Sequence, residues 1–400
     1  MPAGRRASRK RAPRFSVVTI VRNEAARLPR LLASLGEFRS RGGEVVVLDT
    51  GSDDGTPEVA ADAGCRVFVE PRRFNGRLTA RQAARIQEAF SRHGEGPFVG
   101  AGERLFHFGR ARAHASSLAS HDFQFAVDGG DVVEAMDVDF LDSIAGSAHA
   151  PIVHFEARIL NPAGWALEVR DYLYDRRGAK WRGRSHNFLA PLDPGPTAVS
   201  SVLGRDRLLV SHHTDLEKRR GYQVAGTALE ALARPGALRW RYFLGRALAS
   251  TGHHHSAREL FLELDRPGAP SAVRSAGLCL AACSVARTGG APDEIEGFLF
   301  RAAGRDSTRR DPWLTLASRK VSEGDMQGAI SFATAALAIP PRAGLSEPEV
   351  NHSTRPHATL YWALLWSGRR DEAKTHFDAC RRLDPENPIY REHARLFGRA

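Results

Sequence analysis

The chain has 400 residues, a formal net charge of +11, 42% apolar residues and four cysteines. That length supports two domains with cores of their own, and no run approaches the roughly 18 apolar residues a membrane helix needs, so the sequence predicts a cytoplasmic protein with no transmembrane segment. Cys65, Cys279, Cys283 and Cys380 are too few and too scattered for a disulfide framework. The positive charge is concentrated in Arg5, Arg6, Arg9, Lys10, Arg11 and Arg14, within a tail of residues 1–14 expected to be disordered. Elsewhere the excess is small, which argues against nucleic acid as a partner.

Taken in order, Phe15-Ser-Val-Val-Thr-Ile-Val21 is an apolar run that ends on Arg22-Asn23-Glu24. Val45-Val-Val-Leu-Asp-Thr-Gly-Ser-Asp-Asp-Gly-Thr56 is a second, breaking abruptly into aspartate, glycine and serine. Apolar runs without polar alternation, bounded by turn residues, read as strands buried on both faces. A helix carrying Leu28, Leu31, Leu32 and Leu35 lies between them. Another is predicted from Pro57 to Ala63, before a strand at 66–70. Two strand-helix-strand passes predict a parallel sheet with a ligand site at the carboxyl ends of its strands. Asn23, Glu24, Asp49 and Asp53 would converge there, with Asp49 suited to hydrogen-bond a base or ribose.

Residues 72–105 form a polar excursion with one helix over 79–93, predicted to be an insertion over that site. A helix from Phe106 to Ala119 precedes the strand Phe123–Val127 and the turn Asp128-Gly129-Gly130-Asp131, a further strand end tipped by acids. Residues 151–160 and 165–174 predict an antiparallel pair around Asn161-Pro162-Ala163-Gly164. The stretch 175–187 looks too polar and glycine-bearing for a core.

Beyond Leu216 the chain turns to alanine- and leucine-rich helices and repeats itself. Ala247, Gly252, Ala257 and Phe261 match Ala363, Gly368, Ala373 and Phe377 position for position. Gly289 with Glu294 and Phe298, and Gly324 with Ala329, keep the same frame, close to the roughly 34-residue period of helix-turn-helix repeats. The domains expected are therefore a tail at 1–14, an α/β domain at 15–216 and an all-α repeat domain at 217–400.

The sequence has no Gly-x-Gly-x-x-Gly and no Gly-Lys-Ser/Thr, which argues against a dinucleotide or Walker-type cradle. Acid-tipped strand ends suit a hard divalent ion, magnesium or manganese, held against a diphosphate. Asp128 and Asp131 are the candidate ligands, with Gly129 and Gly130 free to adopt positive φ and swing Asp131 back beside Asp128.

The segment from Phe15 to Glu24 together with Val45 to Thr56 resembles the opening of the family 2 glycosyltransferases, enzymes with a Rossmann-like nucleotide-binding half. Phe106-His-Phe-Gly-Arg-Ala-Arg112 is similar to the segment these enzymes place before the acidic strand, and Asp128-Gly-Gly-Asp131 occupies the site of their Asp-x-Asp metal motif. Tyr174 to His186 is similar to the acceptor-side Trp-x-Gly-x-x-His-Glu segment of a subgroup with tetratricopeptide-like helices behind the transferase. Gly130 stands where the motif has its second aspartate, and Asn187 where the glutamate follows the histidine.

The resemblance implies an α/β nucleotide-sugar transferase domain, mostly parallel with helices on both faces, followed by helical repeats. It implies that Val21, Asn23, Glu24 and Asp49, in a loop with Gly51, Ser52 and Asp53, face the base and ribose. Asp128 with a divalent cation would face the sugar diphosphate. The implied reaction moves a sugar from a nucleotide-diphosphate donor to an acceptor hydroxyl, with inversion. Asp175 and His186 are the candidate bases, although Asp175 could instead pair with a neighbouring arginine and His186 could position a phosphate. Arg112, Arg176 and Arg177 are candidates to neutralise the diphosphate. The acceptor could be a glycan, a lipid-linked sugar or a peptide, and the repeats would position it or a protein partner. The alternative is a non-catalytic scaffold that binds partners through the repeats.

Overall fold

The computed structural model describes residues 11–92, 94–147, 150–161, 164–195, 199–213, 221–340, 349–385 and 387–397. The chain divides into two units, one of Met1–Arg77, Arg104–Asn161 and Glu168–Tyr222, the other of Leu78–Glu103, Pro162–Leu167 and Gln223–Ala400.

The first unit begins β1 (Ser16–Val21), α1 (Leu28–Ser34), α2 (Gly36–Ser40), β2 (Glu44–Asp49), α3 (Thr56–Asp62), β3 (Arg66–Val69) and β4 (Asn75–Arg77). After the segment that holds α4 (Ala80–Phe90), it resumes with β5 (Arg104–Phe106), α5 (Phe108–Leu118), β6 (Phe123–Asp128), β7 (Asp131–Met136) and α6 (Val138–Ala145). It closes with β8 (Ile152–Asn161), β9 (Gly164–Asp175), β10 (Ala179–Arg182), β11 (Phe188–Pro191) and β12 (Leu208–His213). Eight strands form one sheet in the order β3-β2-β1-β6-β9-β8-β12-β7. The pairs β2–β3, β1–β2, β1–β6 and β8–β12 are parallel, whereas β9 runs antiparallel to β6 and β7 to β12.

The unalternated runs have a direct physical reason, because helices cover both faces. Val17, Val21, Val45, Val47 and Phe125 pack with Leu28, Leu31, Leu35, Phe38 and Ala60 on one side. Val18, Val46 and Leu48 pack with Ala111, Ala115 and Ala119 of α5 on the other. Each fully buried leucine there contributes about 1.5–3 kcal/mol. The stretch 175–187 departs from expectation. Lys180 and Arg182 face out while Ala179 and Trp181 face in, joining Tyr174 and Leu189 in a small core. The period-2 alternation, rather than the polar count, decides it. Pro162 and Ala163, in the expected turn, lie outside the described residues, and β8 and β9 are neighbours in the sheet. Residues 1–10 of the expected tail also lie outside them. Pro13 is buried and Arg14 is held by Asp142, its amide donating to Oδ1 at 2.6 Å and Nη2 to the carbonyl at 3.0 Å, because a carboxylate and a helix carbonyl of α6 meet the chain there.

The second unit is helical. It contains α7 (Gly221–Ala233), the pairs α8 (Leu238–Ser250) with α9 (His254–Leu262), α10 (Ser271–Arg287) with α11 (Pro292–Arg305), α12 (Asp311–Glu323) with α13 (Met326–Ala338), α14 (Thr354–Trp366) with α15 (Arg370–Leu383), and α16 (Pro388–His393). Gly252, Gly289, Gly324 and Gly368 sit between the members of the four pairs with φ of +86°, +71°, +79° and +75°, a conformation in which glycine carries no Cβ penalty. Small residues let the helices close up. A Cβ on Gly245 would lie 2.6 Å from the Phe261 ring, and Ala257, Ala363 and Ala373 are fully buried.

Residues 78–103, most of the segment expected as an insertion, group with this helical unit. Glu95 accepts hydrogen bonds from the amides of His255 and Ser256 at 2.8 and 3.0 Å and from Ser256 Oγ at 2.6 Å. The first turn of α9 offers orphan amides, and Glu95 satisfies them from outside that helix. The expected boundary at 216 falls within residues 214–220, outside the described ones. All four cysteines are free thiols.

Candidate active site

The loops after β1 and β2 knit together at the carboxyl end of the sheet. Asp49 is fully buried; its Oδ1 accepts from the amides of Gly51 and Ser52 at 2.8 and 2.9 Å, and its Oδ2 from Ser52 Oγ. Gly51 has φ of +103°. Asn23, at φ +53°, exchanges hydrogen bonds with Asp53 at 2.8 and 3.1 Å, and its amide donates to Ser52 Oγ at 2.9 Å. The Thr50 amide and hydroxyl donate to the Val21 carbonyl, each at 3.0 Å, and the Glu24 amide donates to Thr56 Oγ1 at 2.9 Å.

The predicted set of Val21, Asn23, Glu24, Asp49, Gly51, Ser52 and Asp53 is thus brought together, but largely by bonding to itself. An aspartate followed by Gly-Ser meets two backbone amides within three residues, and that local demand takes the carboxylate first. Asp49 therefore builds the loop in this structure and presents no surface to a ligand, contrary to the expected contact with base or ribose.

A second cluster lies where β6 passes into β7. Gly129 permits it, since a Cβ there would stand 2.8 Å from Glu24 Cγ, and this close approach sets the β1 loop against the turn. Gly129 and Gly130 are not among the positive-φ residues, so the expected left-handed swing is replaced by a tight turn in which the Asp128 amide donates to Asp131 Oδ2 at 2.8 Å.

Asp131 is only 1% exposed and begins β7 directly opposite His212 of β12. His212 Nδ1 lies 2.8 Å from Asp131 Oδ1, and Arg170 Nη1 donates to both Asp131 oxygens, at 3.2 and 3.0 Å. Asp128 accepts from Arg112 Nη2 through Oδ1 and keeps 31% of its side chain exposed. Arg112 itself is 4% exposed, with its guanidinium 4.6 Å from the Tyr172 ring and 5.0 Å from that of Trp181.

Burial alone would raise the Asp128 pKa. Arg112, then Arg170 and His212, outweigh it and hold the carboxyl below the usual aspartate range. The same pairing outweighs burial at Arg112 and Arg170, whose pKa values rise, so both stay charged. One ligand atom each from Asp128, Asp131 and His212 lies within 4.8 Å of the others. Two carboxylates suit magnesium or manganese, and the added imidazole favours manganese, so the residue types present fit the implied ion once Arg170 leaves the Asp131 oxygens.

The remaining predicted residues fall in different places. Asp175 pairs with Phe123, at the opposite end of β6 from Asp128, about 16 Å away at strand rise. It holds Arg177 through its two oxygens, at 3.0 Å from Nε and 2.6 Å from Nη2. β9 runs antiparallel to β6, which carries its last residue away from the site, so Asp175 is not its base. Arg176 bonds Asp122 and the carbonyls of Ser116 and Ala119 at the end of α5, and neither it nor Arg177 joins the acidic cluster.

His186, at φ +45°, follows Gly183 and Arg184, whose carbonyls accept from the amides of Gly109 and Phe108 at 3.1 and 2.9 Å. Gly109 is required there, because a Cβ would lie 2.5 Å from the Gly183 oxygen. The loop with His186 thus sits on the first turn of α5, whose next turn carries Arg112. Sequence reasoning missed His212 and Arg170. A signal for His212 existed, since Leu208-Leu-Val-Ser-His-His is an apolar run ending in imidazoles. For Arg170 there was none, because only strand direction brings it to Asp131.

Residues 16–91 match the model of glycosyl transferase family 2. That match runs from β1 to α4, and the helices of the second unit follow one another in pairs. A TPR repeat-containing protein of Synechococcus elongatus is 48% identical over 53 residues, which are 13% of this chain and 12% of that protein. The chain thus spans a small fraction of the curated relative it matches. Among solved structures, MamA is 17% identical over 42% of this chain and 90% of its own, with a TM-score of 0.33. A TPR protein of Thermus thermophilus is 17% identical over 44% of this chain and 89% of its own, also at 0.33. Among the described residues no helix is long and apolar enough to cross a membrane.

Proposed function

We propose that the protein transfers a sugar from a nucleotide-diphosphate donor to an acceptor hydroxyl, with inversion, and that the helical repeats position the acceptor or a partner that carries it. The observation that carries this reading is the convergence of Asp128, Asp131 and His212, flanked by Arg112 and Arg170, at the carboxyl end of β6, beside β1 of the stretch that matches family 2. In an open α/β sheet that end is where ligands bind.

In the reaction the acceptor oxygen attacks the anomeric carbon, the bond from that carbon to the diphosphate oxygen breaks, and the acceptor proton passes to a base. Asp128, Asp131 and His212 would hold magnesium or manganese, which when bound stabilises negative charge on the leaving diphosphate. Arg112, buried against the Tyr172 and Trp181 rings, fixes Asp128, so the carboxylate is oriented before a donor arrives. His186 is the candidate base, with Gly183 and Gly109 fixing its loop on α5. The base and ribose would lie against the Val21–Glu24 turn and the loop that Asp49 braces.

Mass spectrometry of a panel of UDP- and GDP-sugars, with manganese and with chelator, tests the reading. Turnover of at least one donor, lost in Asp128→Asn and His212→Ala, supports it. A second reading, a partner-binding scaffold without turnover, is favoured by the full burial of Asp49 inside its own loop. It predicts that no donor is consumed under either condition.

A further inference from the structure

With Arg170 in place, both Asp131 oxygens are already taken. Its Oδ1 faces His212 Nδ1 at 2.8 Å and Arg170 Nη1 at 3.2 Å, and its Oδ2 accepts from Arg170 Nη1 at 3.0 Å and the Asp128 amide at 2.8 Å. The Arg170 side chain is 11% exposed and lies 5.4 Å from the Tyr172 ring centre. With Arg112 on Asp128, the cluster holds two carboxylates and two guanidiniums. Its carboxylates are already matched by the guanidiniums before His212 is counted, so a divalent ion would add uncompensated positive charge in a poorly solvated place. A nucleoside diphosphate brings the missing negative charge, and arginine pairs with its oxygens at least as well as with a carboxylate.

We propose that Arg170 is a resident counter-cation that closes Asp131 to a divalent ion until a nucleoside diphosphate draws the guanidinium away. The inference rests on the reading of the cluster as a donor site and adds to it an order of events: the diphosphate and the ion bind together, and the ion alone is excluded. Arg112, more deeply buried and set against the Tyr172 and Trp181 rings, stays on Asp128 throughout. The arrangement keeps the cluster from binding free metal ions when no donor is present.

The test is manganese binding to the full-length protein, read by electron paramagnetic resonance of the free ion and by calorimetry. The parent binds manganese weakly by itself and more tightly, on the order of tenfold or more, with UDP or GDP. Arg170→Gln and Arg170→Met bind manganese without nucleotide on the order of tenfold more tightly than the parent. The proposal is overturned if either variant keeps the parent's cooperative melt yet binds manganese no more tightly. Should both variants lose that melt, the parent decides alone: where UDP or GDP itself binds, manganese binding as tight without nucleotide as with it overturns the proposal. Failure of the donor-site reading looks different. In that case UDP and GDP bind neither with nor without manganese, while the Arg170 variants still gain affinity for manganese alone.

Discussion

The ends of β2 and β6 present the same local pattern, an apolar strand closing on aspartate and glycine, yet they put the carboxylate to opposite uses. At β2, Asp49 is fully buried and spends both oxygens on the Gly51 and Ser52 amides and the Ser52 hydroxyl. At β6, Asp128 gives its own amide to Asp131, and its side chain remains 31% exposed beside Arg112. What separates them is where the nearest donors come from. A loop that supplies its own amides absorbs the aspartate, whereas a turn that supplies none leaves the charge to be met from distant strands and, in the proposed reaction, by a ligand.

The comparison breaks hardest at Asp131. Asp131→Ala leaves Arg170 and His212 facing a vacancy, and loss of one partner of a buried ion pair costs about 3–5 kcal/mol. Denaturant unfolding checks this, and a loss below 1 kcal/mol would make the pairing incidental. Asp49→Ala, by removing a charged acceptor from two amides and a hydroxyl, is expected to cost about 1.5–3 kcal/mol and to weaken nucleotide binding only through the loosened loop. An unchanged melt with lost nucleotide binding would instead make Asp49 a ligand, as its strand-end position first suggested.

Gly129→Ala drives a Cβ into Glu24 and is expected to cost about 1–3 kcal/mol as overpacking. Gly36→Ala, where a Cβ would meet nothing within 4 Å, serves as the control in the same melt. The smallest effect is one of pH. Because the folded Asp128 pKa is depressed, the stability it contributes is complete above the unfolded value, about 3.9, and declines as pH falls toward the folded one. The stability gap between parent and Asp128→Asn should therefore narrow below about pH 4. A gap that widens there would reverse the assignment.

Much of the fold was legible in the chain. Apolar runs without alternation mean strands covered on both faces, and Gly252, Gly289, Gly324 and Gly368 announce the repeat because only glycine turns cheaply at positive φ. The membership of residues 78–103 was not legible, because the amides that Glu95 satisfies belong to α9, far along the sequence.

At the site, the sequence by itself determined which strand ends carry acids and that Arg112 precedes the acidic strand by one helix. Both follow from periodicity and chain order. Tertiary structure alone decided that Asp175 faces the other end of the sheet and that Arg170 and His212 meet Asp131. Strand direction and neighbour order are set by how the whole sheet closes its core, and no local pattern records whether a strand runs up or down.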